Sequence, residues 1–302
     1  MSDAALSQRM EQGVQSCLRA RLGAYWALIK SKQTFLLLAT GLAGYLSARP
    51  EASTAATAAL MTLALFATIS GTTALNMVLD RDIDAQMGRT ARRPLPSGML
   101  SVREAALFGA ILVAAGLALA FWQSQPFGWV IGAGIGLDLS VYTLWLKRRS
   151  PWSIVFGSVS GGMPILAGRV LSTGGVDGLG LLLALSVLLW IPAHILAFAM
   201  KYADDYRQAG VPTWPAVYGF DSTRQFIAVS NALRALSLVA AGWWLSICPW
   251  SLGLLALSGV VTVSLSLWAV LQPSEELNLR LFKFASVHML GSMVLLTLGA
   301  LL

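Results

Sequence analysis

Nine long apolar stretches alternate with polar connections along the chain: about 31–48, 55–79, 104–123, 127–146, 152–170, 179–200, 225–246, 250–271 and 280–302, with two long connections at 80–103 and 201–224. A bilayer crossing needs about 20 mostly apolar residues. Lipid-exposed backbone must also satisfy its own hydrogen bonds, which leaves helices as the simplest answer. The pattern predicts an all-α integral membrane protein with nine transmembrane helices. A short cytoplasmic arm over residues 1–24 precedes one membrane domain over residues 25–302. Runs of small residues, GAGIG (132–136) and SVSGG (158–162), let helices approach closely.

Composition agrees. Of 302 residues, 56% are apolar and 12% charged. Soluble domains carry roughly twice that charged fraction. The net charge of +7 would suggest nucleic acid in a soluble protein. Here it reads as basic cytoplasmic loops beside anionic lipid. With the N-terminus inside, eighteen Lys and Arg fall on the inner side and two, Arg49 and Arg169, outside; Arg234 lies within a span. That bias places the N-terminus in the cytoplasm and the C-terminus outside, in what reads as a bacterial inner membrane. The first 22 residues lack the apolar core of a signal peptide. Cys17 and Cys248 form no motif.

Three stretches carry chemistry. In LNMVLDRDIDAQMGRTARRPLPSG (75–98), Asn76, Asp80 and Asp84 are spaced four apart. On a helix each such step turns about 40° and rises about 6 Å, so the three form one oxygen-bearing stripe, continued inward by Thr72 and Thr68. Hard oxygens suit Mg²⁺, which takes substrate phosphates as further ligands. Arg89, Arg92 and Arg93 just beyond offer phosphate-binding forks. The bland alternative is a solvated helix end with topology-setting arginines.

In WIPAHILAFAMKYADDYRQAGVPTWPAVYG (190–219), Asp204, Asp205 and Tyr206 lie at the inner end of the sixth helix. His194 sits eleven residues before Asp205. A continuous helix would put it on nearly the same face, about 16 Å deeper, unless Pro192 disturbs it. A helix-packing role for His194 stays open, and packing is favoured for His288. In YTLWLKRRSP (142–151), Lys147, Arg148 and Arg149 anchor the inner face or contact a diphosphate. Asp138 lies inside that span, with Arg234 or a polar cavity as its expected partner; an intramembrane carboxylate reads as functional by default.

These residues resemble the intramembrane, UbiA-type prenyltransferase superfamily that includes 4-hydroxybenzoate prenyltransferase. The resemblance is carried by NMVLDRDID with Met87, Arg89, Thr90, Arg93 and PLPSG, and by Trp190 to His194 followed by DDYRQAGVP and Pro215. Within the superfamily the chain is similar to the protoheme IX farnesyltransferase, or heme O synthase, family, from about residue 25 to 300. It departs from that family in Leu75 before Asn76, in Ala193 between Pro192 and His194, in IKSKQT (29–34) before the first helix, and in Asp138.

The resemblance implies transfer of farnesyl from farnesyl diphosphate to a vinyl group of heme B, giving heme O and diphosphate. It implies Asn76, Asp80, Asp84, Asp204 and Asp205 as catalytic residues, with Asn76, Asp80, Asp84 and Asp205 holding Mg²⁺. Arg89, Arg93, Lys147, Arg148, His194, Lys201 and Tyr206 would bind substrates, with His194 ligating heme iron or orienting the porphyrin. Heme A synthase or a terminal oxidase would be the partner receiving product. Two alternatives remain open on the residues. One is a sister prenyltransferase with an aromatic or chlorin acceptor. The other is a transporter using Asp138 and Arg234 as a relay.

Overall fold

Helices account for nearly all of the structure, a computed structural model that describes residues 18–49 and 55–302. Most of the arm, including Arg9 and Cys17, lies outside the described residues. Helix α1 covers residues 18–28. It is followed by α2 (Ser31–Leu46), α3 (Ala55–Leu79), the short α4 (Arg81–Gln86), α5 (Val102–Gln123) and α6 (Gln125–Gly136). A π-helical segment, Leu137–Leu146, continues α6. Then come α7 (Ser153–Thr173), α8 (Gly178–Lys201), the short α9 (Ala203–Gln208), α10 (Trp214–Trp244), α11 (Pro249–Leu271) and α12 (Glu275–Leu301). Among the described residues there is no strand.

Eight of these helices, counting α6 with its π-helical continuation, are long and apolar enough to cross a membrane. The expected first span is α2, and its 16 residues rise about 24 Å, short of the ~30 Å hydrocarbon core. The count of nine thus becomes eight full-length helices and one shorter one. Exposed Trp122, Trp129, Trp243, Trp244 and Trp250 sit at one end of the bundle. Trp26, Trp145, Trp152 and Trp268 sit at the other, with the basic loops. Two such girdles mark the membrane interfaces of an integral membrane protein.

Local chemistry fixes the helix ends. Ser101 and Glu104 form a capping box at α5. The Asp177 side chain accepts from the backbone N–H of Gly180 at 2.7 Å and caps α8. The predicted seventh span begins earlier than expected, at Trp214, because the chain kinks rather than stops at Gly219 (φ 80°, ψ 174°). That conformation is open only to glycine.

Consecutive helices pack as neighbours, and α12 returns to close against α2 and α8. The tightest approach joins α2 to α7. A Cβ on Gly44 would lie 2.0 Å from the Ile165 carbonyl oxygen, and one on Gly168 would lie 2.0 Å from that of Gly41. Only glycines permit this backbone contact. At the end away from the basic loops, buried Arg169 is held by Asp177 (2.6 to 2.9 Å) and by the Ser47 hydroxyl at 2.9 Å. This clamp ties α2, α7 and the start of α8.

Candidate active site

Asn76, Asp80 and Asp84 do not lie on one continuous helix. The chain leaves α3 at Leu79, Asp80 takes a non-helical conformation (φ −94°, ψ 2°), and α4 resumes at Arg81. The break gives each of the three side chains its own partner. Asn76 donates from Nδ2 to Asp138 Oδ2 at 2.5 Å and accepts from Thr143 Oγ1 at 2.8 Å. Asp80 pairs with Lys147 through one oxygen, while its Oδ1 is buried without a hydrogen-bond partner. Asp84, 2% exposed, takes both oxygens to Arg93 Nη1 at 2.7 and 2.8 Å. Thr68 and Thr72 extend nothing toward the site. Their hydroxyls donate back to the carbonyls of Ala64 and Thr68, a common device in helices.

The π-helical segment faces this break from across the bundle. Beyond Lys147, Arg148 binds Asp82 through two bonds of 2.7 Å and the Leu79 carbonyl at 2.9 Å. The hydrogen bond from Arg148 holds the Asp82 carboxyl down to about 2. Arg148, expected to bind substrate, is thus engaged as a clamp between α6 and α4.

The second acid-rich stretch also departs from a continuous helix. The α8 helix ends at Lys201, Tyr202 breaks it, and α9 starts anew at Ala203. The eleven-residue phase relation between His194 and Asp205 therefore does not carry through. Asp204 is 95% exposed and pairs with Arg207, while Asp205 is half-buried. Tyr206 packs with Val211 against Ile83 and Met87, which brings the two acid-rich loops into contact. Arg89 strengthens that junction. Its guanidinium lies over the rings of Phe198 and Tyr202 at 4.9 and 5.1 Å, with Nε buried and unpartnered. Lys201 is exposed, 5.6 Å from the Tyr202 ring, and lines a cavity of about 240 Å³ with Asp204, Arg224, Asn278 and Phe282.

His194 stacks between Trp190 and Phe282 at centroid distances of 5.0 and 4.3 Å. Its Nδ1 lies 3.2 Å from the Phe282 carbonyl oxygen. A carbonyl only accepts, so the bonding pattern assigns the proton to Nδ1 and leaves the Nε2 lone pair free. That is the arrangement of a metal-ligating histidine, whose other nitrogen donates to a carbonyl or carboxylate.

The expected Asp138–Arg234 pairing is not formed. Asp138 bonds Asn76 and, at 3.3 Å, Ser160. Arg234, 1% exposed, donates to His288 Nδ1; the other ring nitrogen of His288 meets Ser258. These two groups occupy separate helix contacts, so they form no relay. His288 is buried and engaged at both ring nitrogens by Arg234 and Ser258.

Lys30 is a site residue the sequence reading left among topology-setting charges. It stands before α2 in a left-handed conformation (φ 46°). Burial, then the charges of Arg93 and Lys147, push its ammonium down to about 8. Lys30, Arg93 and Lys147 thus converge on the Asp80 region. The one cue was a left-handed non-glycine residue, invisible in the sequence.

Residues 37–288 match the UbiA prenyltransferase family. The chain belongs to that family. Among UbiA relatives, the chain is 45% identical over 221 residues to the protoheme IX farnesyltransferase of Archaeoglobus fulgidus, covering 73% of this chain and 77% of that protein. The UbiA fold is shared with a structure of digeranylgeranylglyceryl phosphate synthase (TM-score 0.76, 22% identity, 93% of this chain and 98% of that one). It is shared too with a UbiA homologue from Archaeoglobus fulgidus bound to GPP and Mg²⁺ (TM-score 0.67, 16% identity, 91% and 99%).

Among the described residues, no three His, Cys, Asp or Glu side chains gather to hold a metal. The expected set of Asn76, Asp80, Asp84 and Asp205 is not preassembled: Lys147 holds Asp80, Arg93 holds Asp84, and Asp138 with Thr143 holds Asn76. Asp80 Oδ1 is the telling exception. A buried carboxylate oxygen with no partner costs free energy, and a hard cation arriving with a diphosphate would satisfy it. The donor set fits Mg²⁺ delivered with its substrate rather than a closed protein cage.

Proposed function

We propose that this chain transfers the farnesyl group of farnesyl diphosphate to a vinyl group of heme B, yielding heme O and diphosphate. One observation carries the diphosphate half of the reading. Asp80 and Asp84 are held by Lys147 and Arg93 at adjacent helix ends, with a buried oxygen of Asp80 left open. Such a site exchanges its internal ion pairs for a metal diphosphate. Mg²⁺, when bound, neutralises the oxygens of the leaving diphosphate. Asp80, Asp84 and Asn76 would hold it, with Asp205 approaching from α9. Lys147, Arg93, Arg89 and Lys30 supply positive charge where the leaving group gathers negative charge. The apolar bundle beneath shields the farnesyl cation from water until the electron-rich vinyl group attacks; water then adds to the resulting porphyrin-stabilised cation and loses a proton, giving the hydroxyl of heme O.

His194 supports heme as acceptor. Its free Nε2 lone pair would ligate the iron or orient the ring, with Trp190 and Phe282 holding the imidazole. Lys201 and Tyr206 would complete substrate contacts at the surface, and Asp204 would join only by leaving Arg207. The membrane reading extends to a bacterial inner membrane, with the arm over residues 1–24 and the N-terminus in the cytoplasm and the C-terminus outside. Product would pass to a heme A synthase or a terminal oxidase.

The test is a product assay. Purified protein is incubated with heme B, farnesyl diphosphate and Mg²⁺, with a metal-free control, and porphyrin mass is followed by mass spectrometry. Metal-dependent hydroxyethylfarnesyl heme is the expected product. Diphosphate release without modified heme would overturn the acceptor and direct the search to aromatic or chlorin rings.

A further inference from the structure

Asp138 and Lys147 are nine residues apart. An α-helix turns about 100° per residue, which would set them on opposite faces. The i→i+5 bonding of a π-helix gives roughly 4.4 residues per turn, so nine steps come close to two full turns. Lys147 N–H indeed donates to the Tyr142 carbonyl, five residues back, at 2.8 Å. Asp138, Thr143 and Lys147 therefore all face α3. There Asp138 and Thr143 grip Asn76, and Lys147 meets Asp80 one α-helical turn along.

The chemistry of that grip is directional. A carboxylate only accepts, so Asp138 draws the Nδ2 end of the Asn76 amide to itself. The Oδ1 end must then point away, where Thr143 donates to it at 2.8 Å. An amide oxygen has two lone pairs, so one remains for another partner. The Ser160 hydroxyl of α7 also lies 3.3 Å from Asp138 Oδ1, sharing its proton with the Gly157 carbonyl at 2.7 Å. An ionisable group within a span is costly, and no step of the transfer chemistry uses this one.

We propose that Asp138 is a positioning residue that locks the Asn76 amide with its oxygen turned toward the cation of the metal diphosphate. This inference rests on the reading of Asn76 as a metal ligand.

The experiment uses the full chain in detergent, with Mn²⁺ and inorganic diphosphate as probes. Free Mn²⁺ is followed by electron paramagnetic resonance. Asp138→Asn, whose side chain can also donate, should weaken Mn²⁺ binding about tenfold, the range for partners that orient a metal ligand. Turnover at saturating metal should stay within about twofold. In an Asn76→Ala background, Asp138→Asn should add nothing, since its effect runs through that amide. Ser160→Ala, a milder change, should weaken Mn²⁺ about threefold and lose that effect in the same background. Weaker binding in Asn76→Ala, with Asp138→Asn and Ser160→Ala unchanged, overturns the positioning role and leaves the metal reading standing. Unchanged binding in Asn76→Ala overturns both. Additive losses in the double variant overturn the positioning role, because Asp138 would then act on its own.

Discussion

Lys147, the first residue past the π-helical segment, is ion-paired with Asp80, the residue at which α3 gives way to α4. The pair spans two helices and engages only one oxygen of the carboxylate. It joins the site's acid to the cation expected to receive the diphosphate. Removing either partner leaves the other buried and uncompensated, which is costly in stability as well as in chemistry.

Lys147→Gln should therefore raise the KM for farnesyl diphosphate and lower kcat by about tenfold or more. Asp80→Asn and Asp84→Asn should each lower kcat at least ~100-fold, the scale of lost transition-state charge stabilisation. Steady-state kinetics over a Mg²⁺ series measure both. Wild-type turnover in the two aspartate variants would remove them from the reaction.

His194→Ala should impair heme use and spare the diphosphate side. Heme titrated into the variant should lose the shift in its absorption band that marks axial ligation, while binding of inorganic diphosphate with Mn²⁺ should stay within about twofold. An identical heme spectrum and identical product yield would make His194 a packing residue between Trp190 and Phe282.

Asp177→Asn should destabilise the far end of the bundle without touching the site. The hydrogen bonds from Arg169 and the Gly180 backbone hold the Asp177 carboxyl below its ordinary value of 3.8. A depressed carboxylate stabilises the fold above the ordinary value, and that contribution fades as pH falls through the folded-state value. Because Asp177 is partly exposed, about 1–2 kcal/mol is the expected loss at neutral pH, discounted from that of a buried pair. Thermal melts should show a gap between wild type and variant that is steady from pH 5 to 7 and closes below pH 4. A gap that widened in acid would contradict the clamp.

Arg234→Met should leave the melting temperature unchanged or raise it. The guanidinium is fully buried, meets only the neutral ring of His288, and has Nε and Nη1 unpartnered. Replacing a poorly compensated buried charge by an apolar side chain of similar length is often stabilising. Heme farnesylation should persist, since the cluster packs α10 against α11 and α12. Loss of activity with an unaltered melt would connect Arg234 to the reaction after all.

Much of this architecture was visible along the chain because membrane helices announce themselves by apolar length. The span expected over 55–79 is α3 to the residue, and the others differ by a few positions, except α10, which begins at Trp214 rather than near residue 225. Acid spacing singled out the inner end of α3, yet it assumed unbroken helices. Periodicity cannot register the non-helical residues Asp80 and Tyr202, which interrupt α3–α4 and α8–α9. Asp138 was marked as odd by its cost in lipid; of its two expected partners Arg234 is ruled out, and the groups that meet it are the polar Asn76 and Ser160. A span winding as a π-helix aims its side chains differently from the α-helix the pattern implies. Lys30 escaped notice because a basic residue beside a span is the commonest topology signal, and its left-handed backbone leaves no trace in composition.

The π-helical segment also makes chain length a functional property. Over two turns it holds nearly two residues more than an α-helix would, so the stretch from 138 to 147 behaves as a counted interval. Substitutions inside it keep the count. After a single deletion, rewinding to the ordinary pitch would leave Lys147 about 80° around the axis from the face of Asp138, away from Asp80, with every side chain of the site still present in the sequence.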